Sequence, residues 1–202
     1  ARINPGHSAD FLKHVRTGSG ELSKAVKSVA GDVSIKGIDV EAMPKLMEMM
    51  TGGGAAMPQQ STIMIGKRQA RNPAILAHEL GHMIDYRKNP GRLVGGMIGM
   101  KLAPLAALTG TAFGLTRGSK EDRNKALAAT SAIAGGMTLP NLYSEFRASR
   151  TGNRLLRQMY PGKAMRPASR TTALALATYG LGSAAIAGSP WVASWIRDKL
   201  RS

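Results

Sequence analysis

The 202-residue chain has no cysteine, which excludes a disulfide-stapled secreted domain, a zinc ribbon or finger, an iron–sulfur centre and a cysteine nucleophile. A metal site can draw only on His, Asp and Glu. Acids are few, 12 against 28 Lys and Arg for a formal net charge of +16, so anionic partners are favoured. Aromatics are also scarce at 4%, which weighs against a single-strand nucleic-acid surface, where bases stack on rings among basic groups. Runs of Leu, Ile and Phe are missing, and the mean hydropathy of −0.13 is low for a protein that crosses a membrane many times. The first 30 residues show no apolar core of a signal peptide, so none is expected. What is abundant is small or pliable: 24 Gly and 12 Met, pointing to close backbone packing and gap-filling cores.

The charge is localised. Residues 1–60 hold 7 basic and 6 acidic groups, and the remainder holds 21 and 6. In that later part the basic residues cluster around Lys67–Arg71, Arg87–Arg92, Arg117–Lys125, Arg147–Arg170 and Arg197–Arg201. Between them, 93–115 carries only Lys101, while 126–143 and 171–196 carry no charge. Each uncharged stretch approaches the roughly 20 residues a helix needs to cross about 30 Å of hydrocarbon. Gly95 and Gly99 form a GxxxG, and Trp191 and Trp195 beside a basic cluster resemble an interfacial belt. These patterns predict membrane association and contact with an anionic membrane surface. A soluble core of Ala and Gly helices is the competing reading, and nucleic acid ranks last as a partner because the charges do not line one aromatic-studded face.

The periodicity predicts a mainly α chain with a small β element. Leu22, Val26 and Val29 recur at helical spacing over 19–30. Asp39 is a plausible cap for a helix over 42–50 that ends at Gly52-Gly53-Gly54. Residues 61–66 (STIMIG) read as one short strand, and its edge could pair with an extended peptide. Asn72-Pro73 opens a helix that should stop before Asn89-Pro90-Gly91, and Pro140-Asn141 opens another of roughly 15–20 residues. Three regions are expected: a polar helical segment over 1–60, a catalytic region over 61–160 with an apolar hairpin at 93–143, and an apolar helix with a basic tail over 161–202. Residues 161–167 are the best linker.

Chemistry is carried by Ala77-His78-Glu79-Leu80-Gly81-His82, an HExxH on the helix opened by Asn72. Residues four apart share a helix face, so His78 and His82 can bind one ion. Glu79, offset by about 100°, is placed to work as general base on a metal-activated water. Gly81 leaves room for a close approach. A catalytic zinc site takes three protein ligands. His7 and His14 lie far upstream in polar sequence, and Glu121 and Asp122 lie in a charged loop. Asp85, three residues past His82, suits a supporting contact to an imidazole N–H. Glu145 stands on its own predicted helix in Ser144-Glu145-Phe146-Arg147-Ala148-Ser149-Arg150-Thr151-Gly152.

HELGH, a pair of apolar segments, then EFRASRTG resembles the membrane zinc peptidases of the HtpX heat-shock protease and CAAX prenyl protease type, over about 61–156. The first motif is also similar to soluble zincins. The resemblance implies a zincin-like active-site helix, zinc held by His78, His82 and Glu145, Glu79 as general base, and a peptide or protein substrate. Phe146, Ala148 and Gly152 match the rest of the second motif. Ser149 stands where that family usually has the Asp that supports a histidine, a job that Asp85 could take over. The expectation is a membrane-associated zinc endopeptidase with its catalytic side cytoplasmic. The alternative is a membrane-active or virion-packaged protein in which the motif is accessory or vestigial.

Overall fold

The computed structural model describes residues 5–51, 53–161 and 166–201 and is mainly helical with a small three-stranded sheet. Residues 162–165, within the expected linker, lie outside the described residues. The chain divides into two compact units, Ala1–Gly91 with Ser144–Ala175, and Arg92–Tyr143 with Leu176–Ser202.

The first unit begins with α1 (Pro5–Thr17) and α2 (Gly20–Ala30). Ser19 caps α2 by accepting the Leu22 N–H at 3.2 Å, and Leu22 and Val26 enter the core with Phe11 and Val15. The sheet has the order β1-β3-β2, from β1 (Asp39–Ala42), β2 (Gly54–Met57) and β3 (Thr62–Ile65). β1 runs parallel to β3 with Val40 opposite Ile63, and β2 runs antiparallel with Ala56 opposite Ile63. The strand expected at 61–66 is therefore β3, and it lies in the middle of the sheet with both edges paired. Asp39 does not cap a helix, because β3 draws 39–42 into the sheet and the Met43 N–H continues the ladder to the Ile65 carbonyl. The helix α3 (Lys45–Thr51) starts only after Pro44, whose fixed φ suits a helix start.

Helix α4 (Pro73–Lys88) has the expected limits: the Asn72 side chain accepts the Ala74 N–H at 3.0 Å, and Asn89-Pro90 follows its end. Eleven of its 16 residues are buried, among them Glu79, His82 and Asp85, which lie inside the unit instead of facing water. The end of α6 (Lys120–Met159) crosses it, with Leu155 and Leu156 in the same core as Leu80 and Met83.

The second unit is built from most of α5 (Pro90–Leu115), the first part of α6 and most of α7 (Arg166–Arg201). Along α5, Gly96, Gly99, Ala103, Ala107, Gly110 and Gly114 recur at helical spacing. Gly99 faces the Met137 backbone, Gly110 faces Thr130 and Gly114 faces Leu127, while a Cβ on Gly95 of the expected GxxxG would meet nothing within 4 Å among the described residues. Gly135 meets Ala187, and Arg123 pairs with Asp198 at 3.0 Å, so α7 runs antiparallel to α6. Pro140 does not begin a helix; it lies inside α6, as Pro104 lies inside α5. An interior proline costs about 3 kcal/mol or more. Here α6 is held on both sides of it, by the glycine contacts of α5 before it and by the core around Leu155 after it.

Candidate metal centre

Three ligand atoms from two helices converge. His78 and His82, one turn apart on α4, present their Nε2 atoms 3.2 Å from each other, with the rings nearly perpendicular at 89°. Glu145 Oε2, from α6, lies 3.1 Å from His78 Nε2 and 3.4 Å from His82 Nε2. All three side chains are largely buried. Among the described residues, this is the only group of three or more such side chains able to hold a metal ion. A tetrahedral ion with bonds of about 2.0–2.1 Å keeps its ligand atoms about 3.3 Å apart, so this triangle has the size of one tetrahedral face. The donor set of two imidazoles and a carboxylate suits zinc.

The helix crossing that brings Glu145 to α4 depends on two glycines. A Cβ on Gly81 would strike the Ala148 carbonyl oxygen, and one on Gly152 would lie 2.5 Å from the Ala77 carbonyl oxygen. Gly81 thus makes room for the backbone of α6, and Gly152 explains the last position of the second motif: it faces α4 beside His78. Arg147 and Asp85 tie the same two helices together, with both Nε and Nη2 of Arg147 2.8 Å from Asp85 Oδ1.

Ser149 lies one turn beyond Glu145, with Oγ 3.0 Å from His78 Nδ1. One face of α6 therefore meets both ring nitrogens of His78. With a metal bound, Nδ1 can carry the imidazole proton and donate it to Ser149, which frees the Nε2 lone pair for the ion. The support expected for a histidine from Asp85 comes to His78 from Ser149 instead, while Asp85 engages Arg147. His82 Nδ1 has no hydrogen-bond partner among the described residues.

The charges at the centre fit this geometry. For Glu145, burial alone would raise the carboxyl pKa, but hydrogen bonds from His78 and His82 outweigh it and hold it at about 2. For His82, burial works to lower the pKa, but Glu145 above all, with Glu79 and Asp85, raises it. Glu79 is not in the triangle. Its carboxylate lies against β2, where the Ala56 N–H donates to it, and burial pushes its pKa above the usual range despite the pull of His82 and His78. Just before β2 the Gly53 carbonyl faces β3 by accepting the Gly66 N–H, so by alternation Gly54 and Ala56 direct their N–H and C=O groups outward, away from β3. The sheet edge beside the site is thus β2, a strand that local propensity does not predict, because Gly-Ala-Ala has little strand preference.

The other candidates lie elsewhere. His14 sits between Ser19, Asp10 and Glu21, His7 stacks on Tyr160, Glu121 pairs with Lys125, and Asp122 bonds Ser119 at the start of α6. A scan against protein-family models and searches of curated proteins and of solved structures returned no match.

Proposed function

We propose that the chain is a membrane-associated zinc-dependent endopeptidase. The observation that carries the reading is the triangle of His78 Nε2, His82 Nε2 and Glu145 Oε2, with a separate buried carboxylate, Glu79, next to it on the same helix. When bound, zinc would activate a water for attack and polarise a peptide carbonyl. Glu79 would hold the proton released on attack at its carboxylate and return it to the leaving amine as the C–N bond breaks. Burial raises the Glu79 pKa, and a more basic carboxylate binds the proton more firmly when it takes it up. Ser149 and Glu145 orient His78, and the outward groups of β2 other than the Ala56 N–H, which Glu79 accepts, align an extended peptide by backbone pairing. The direct test is cleavage of an unfolded polypeptide by the full chain. 1,10-Phenanthroline should abolish it and added zinc should restore it, whereas cleavage that ignores the chelator contradicts the reading.

Membrane association rests on the second unit, whose apolar groups are inverted. Ala103, Ala107, Thr130, Ala134 and Thr138 are buried with the single large residue Leu127, while Leu105, Leu108, Phe113, Ile133, Leu139 and Leu181 are each more than half exposed. The buried threonines donate to carbonyls of their own helices, as Thr138 does to Gly135 at 2.7 Å. A water-facing bundle hides its large residues; small residues inside and large ones outside fit a lipid surround. Helix α5 is long and apolar enough to cross a membrane, and only 18% of its most apolar window is buried. The chain's two tryptophans, Trp191 and Trp195, lie on α7 and are 43% and 63% exposed. With the protein in vesicles, brominated lipid should quench their fluorescence and aqueous iodide should not. Efficient iodide quenching with no effect of bromine would overturn this part of the proposal.

The same inverted unit favours a second reading, a membrane-active protein in which the metal site is accessory. A biological activity unchanged by Glu79→Gln would select it.

A further inference from the structure

Resting on the hydrolase reading above, we infer that Gly54 is a positioning residue: strand β2 is the seat of the Glu79 carboxylate, and the missing side chain at Gly54 makes room for it. A Cβ on Gly54 would lie 2.6 Å from Glu79 Oε1, 3.2 Å from its Cδ and 2.7 Å from Ile75 Cγ2. Contacts under 3.0 Å are not tolerated without movement. Backbone conformation does not require the glycine: the positive φ belongs to its neighbour Gly53, at 100°, and Gly54 is an ordinary strand residue opposite Ile65. Space is therefore what the position supplies.

Two residues further along the strand, the Ala56 N–H donates to the same carboxylate. Gly54 and Ala56 point their side-chain positions to one face of β2. Ala56 packs there against the core that contains Leu76 and Leu80 of α4. Glu79 thus lies over the strand, anchored by a donor at Ala56 and admitted by the gap at Gly54. The strand that would align a substrate peptide also fixes where the base stands, which joins substrate register to base position in one element. A displacement of the base by about 1 Å is enough to cost roughly 10²-fold in rate.

The experiment is Gly54→Ala in the full chain, read three ways. Zinc content should match the parent, since none of the three ligands touches this position. kcat should fall about 10²-fold, with KM changed by less than about 3-fold. In the metal-free protein, the drop in Tm caused by Gly54→Ala should shrink by at least about 2 °C in a Glu79→Ala background, because the coupled contact is then gone. Should Gly54→Ala fail to fold, Gly54→Ala/Ile75→Ala, which removes the other close contact, is measured in its place. The inference is overturned by a kcat equal to the parent's, by zinc lost in step with activity, or by equal Tm drops in the two backgrounds. A parent that cleaves no peptide when loaded with zinc overturns the hydrolase reading itself, an outcome distinct from a working parent that Gly54→Ala leaves unchanged.

Discussion

Glu79→Gln is expected to retain zinc at the parent level and to cleave peptide about 10²–10⁴-fold more slowly, the range that a positioned acid–base group supplies. The substitution is nearly isosteric. The amide oxygen can still accept the Ala56 N–H, so the seat on β2 and the buried α4 helix should be undisturbed. What disappears is the ability to take and return a proton. Since Glu79 lies outside the triangle of Glu145 and the two histidines, metal content and activity should separate in this variant. Zinc titration beside a steady-state assay checks it, and a variant as active as the parent removes Glu79 from the chemistry.

Gly81→Ala is the second large effect, and its sign is decided by competing magnitudes. In an open helix the change stabilises by about 1 kcal/mol through propensity. At position 81 the new methyl meets the oxygen, carbon and Cα of Ala148, all backbone atoms that cannot rotate away. Overpacking of this kind costs about 1–3 kcal/mol, so the net change is a loss. Because the atoms that must move belong to α6, the shift also withdraws Glu145 and Ser149 from His78. Zinc affinity should fall by at least about 10-fold, the scale seen when ligand support is disturbed. Gly95→Ala is the control, since nothing lies within 4 Å of that position. Equal stability and zinc affinity in the parent and Gly81→Ala would show that the helix crossing does not govern the site.

How much of this is legible in the sequence depends on the range of the interaction that fixes each part. Helix α4 is set by local signals, Asn72-Pro73 at one end and Asn89-Pro90 at the other, and the pairing of His78 with His82 follows from helical spacing alone. Glu145 lies 67 residues from His78, and no local rule brings it there; only the motif resemblance pointed to it. Strand β2 could not be read, because Gly54-Ala55-Ala56 becomes a strand through its partners in β3 and the Glu79 carboxylate, not through its own preference. By the same local logic Asp39 reads as a helix cap, and pairing of Val40 with Ile63 overrides it. Pro140 misled in the opposite sense: a rule for isolated helices predicted a boundary where packing on both sides keeps α6 continuous. The role of Ser149 was invisible as well, since a serine at a family aspartate position looks like a loss until its Oγ is found 3.0 Å from His78 Nδ1.

His78, His82 and Glu145 are proposed to hold one metal ion between α4 and α6. Metal analysis of the purified full chain beside Glu145→Ala tests it most directly. Close to one zinc per chain is expected in the parent and a large loss in the variant, with the fold retained by circular dichroism. Equal zinc content in the two proteins, or no bound metal in a folded parent supplied with zinc, would contradict it.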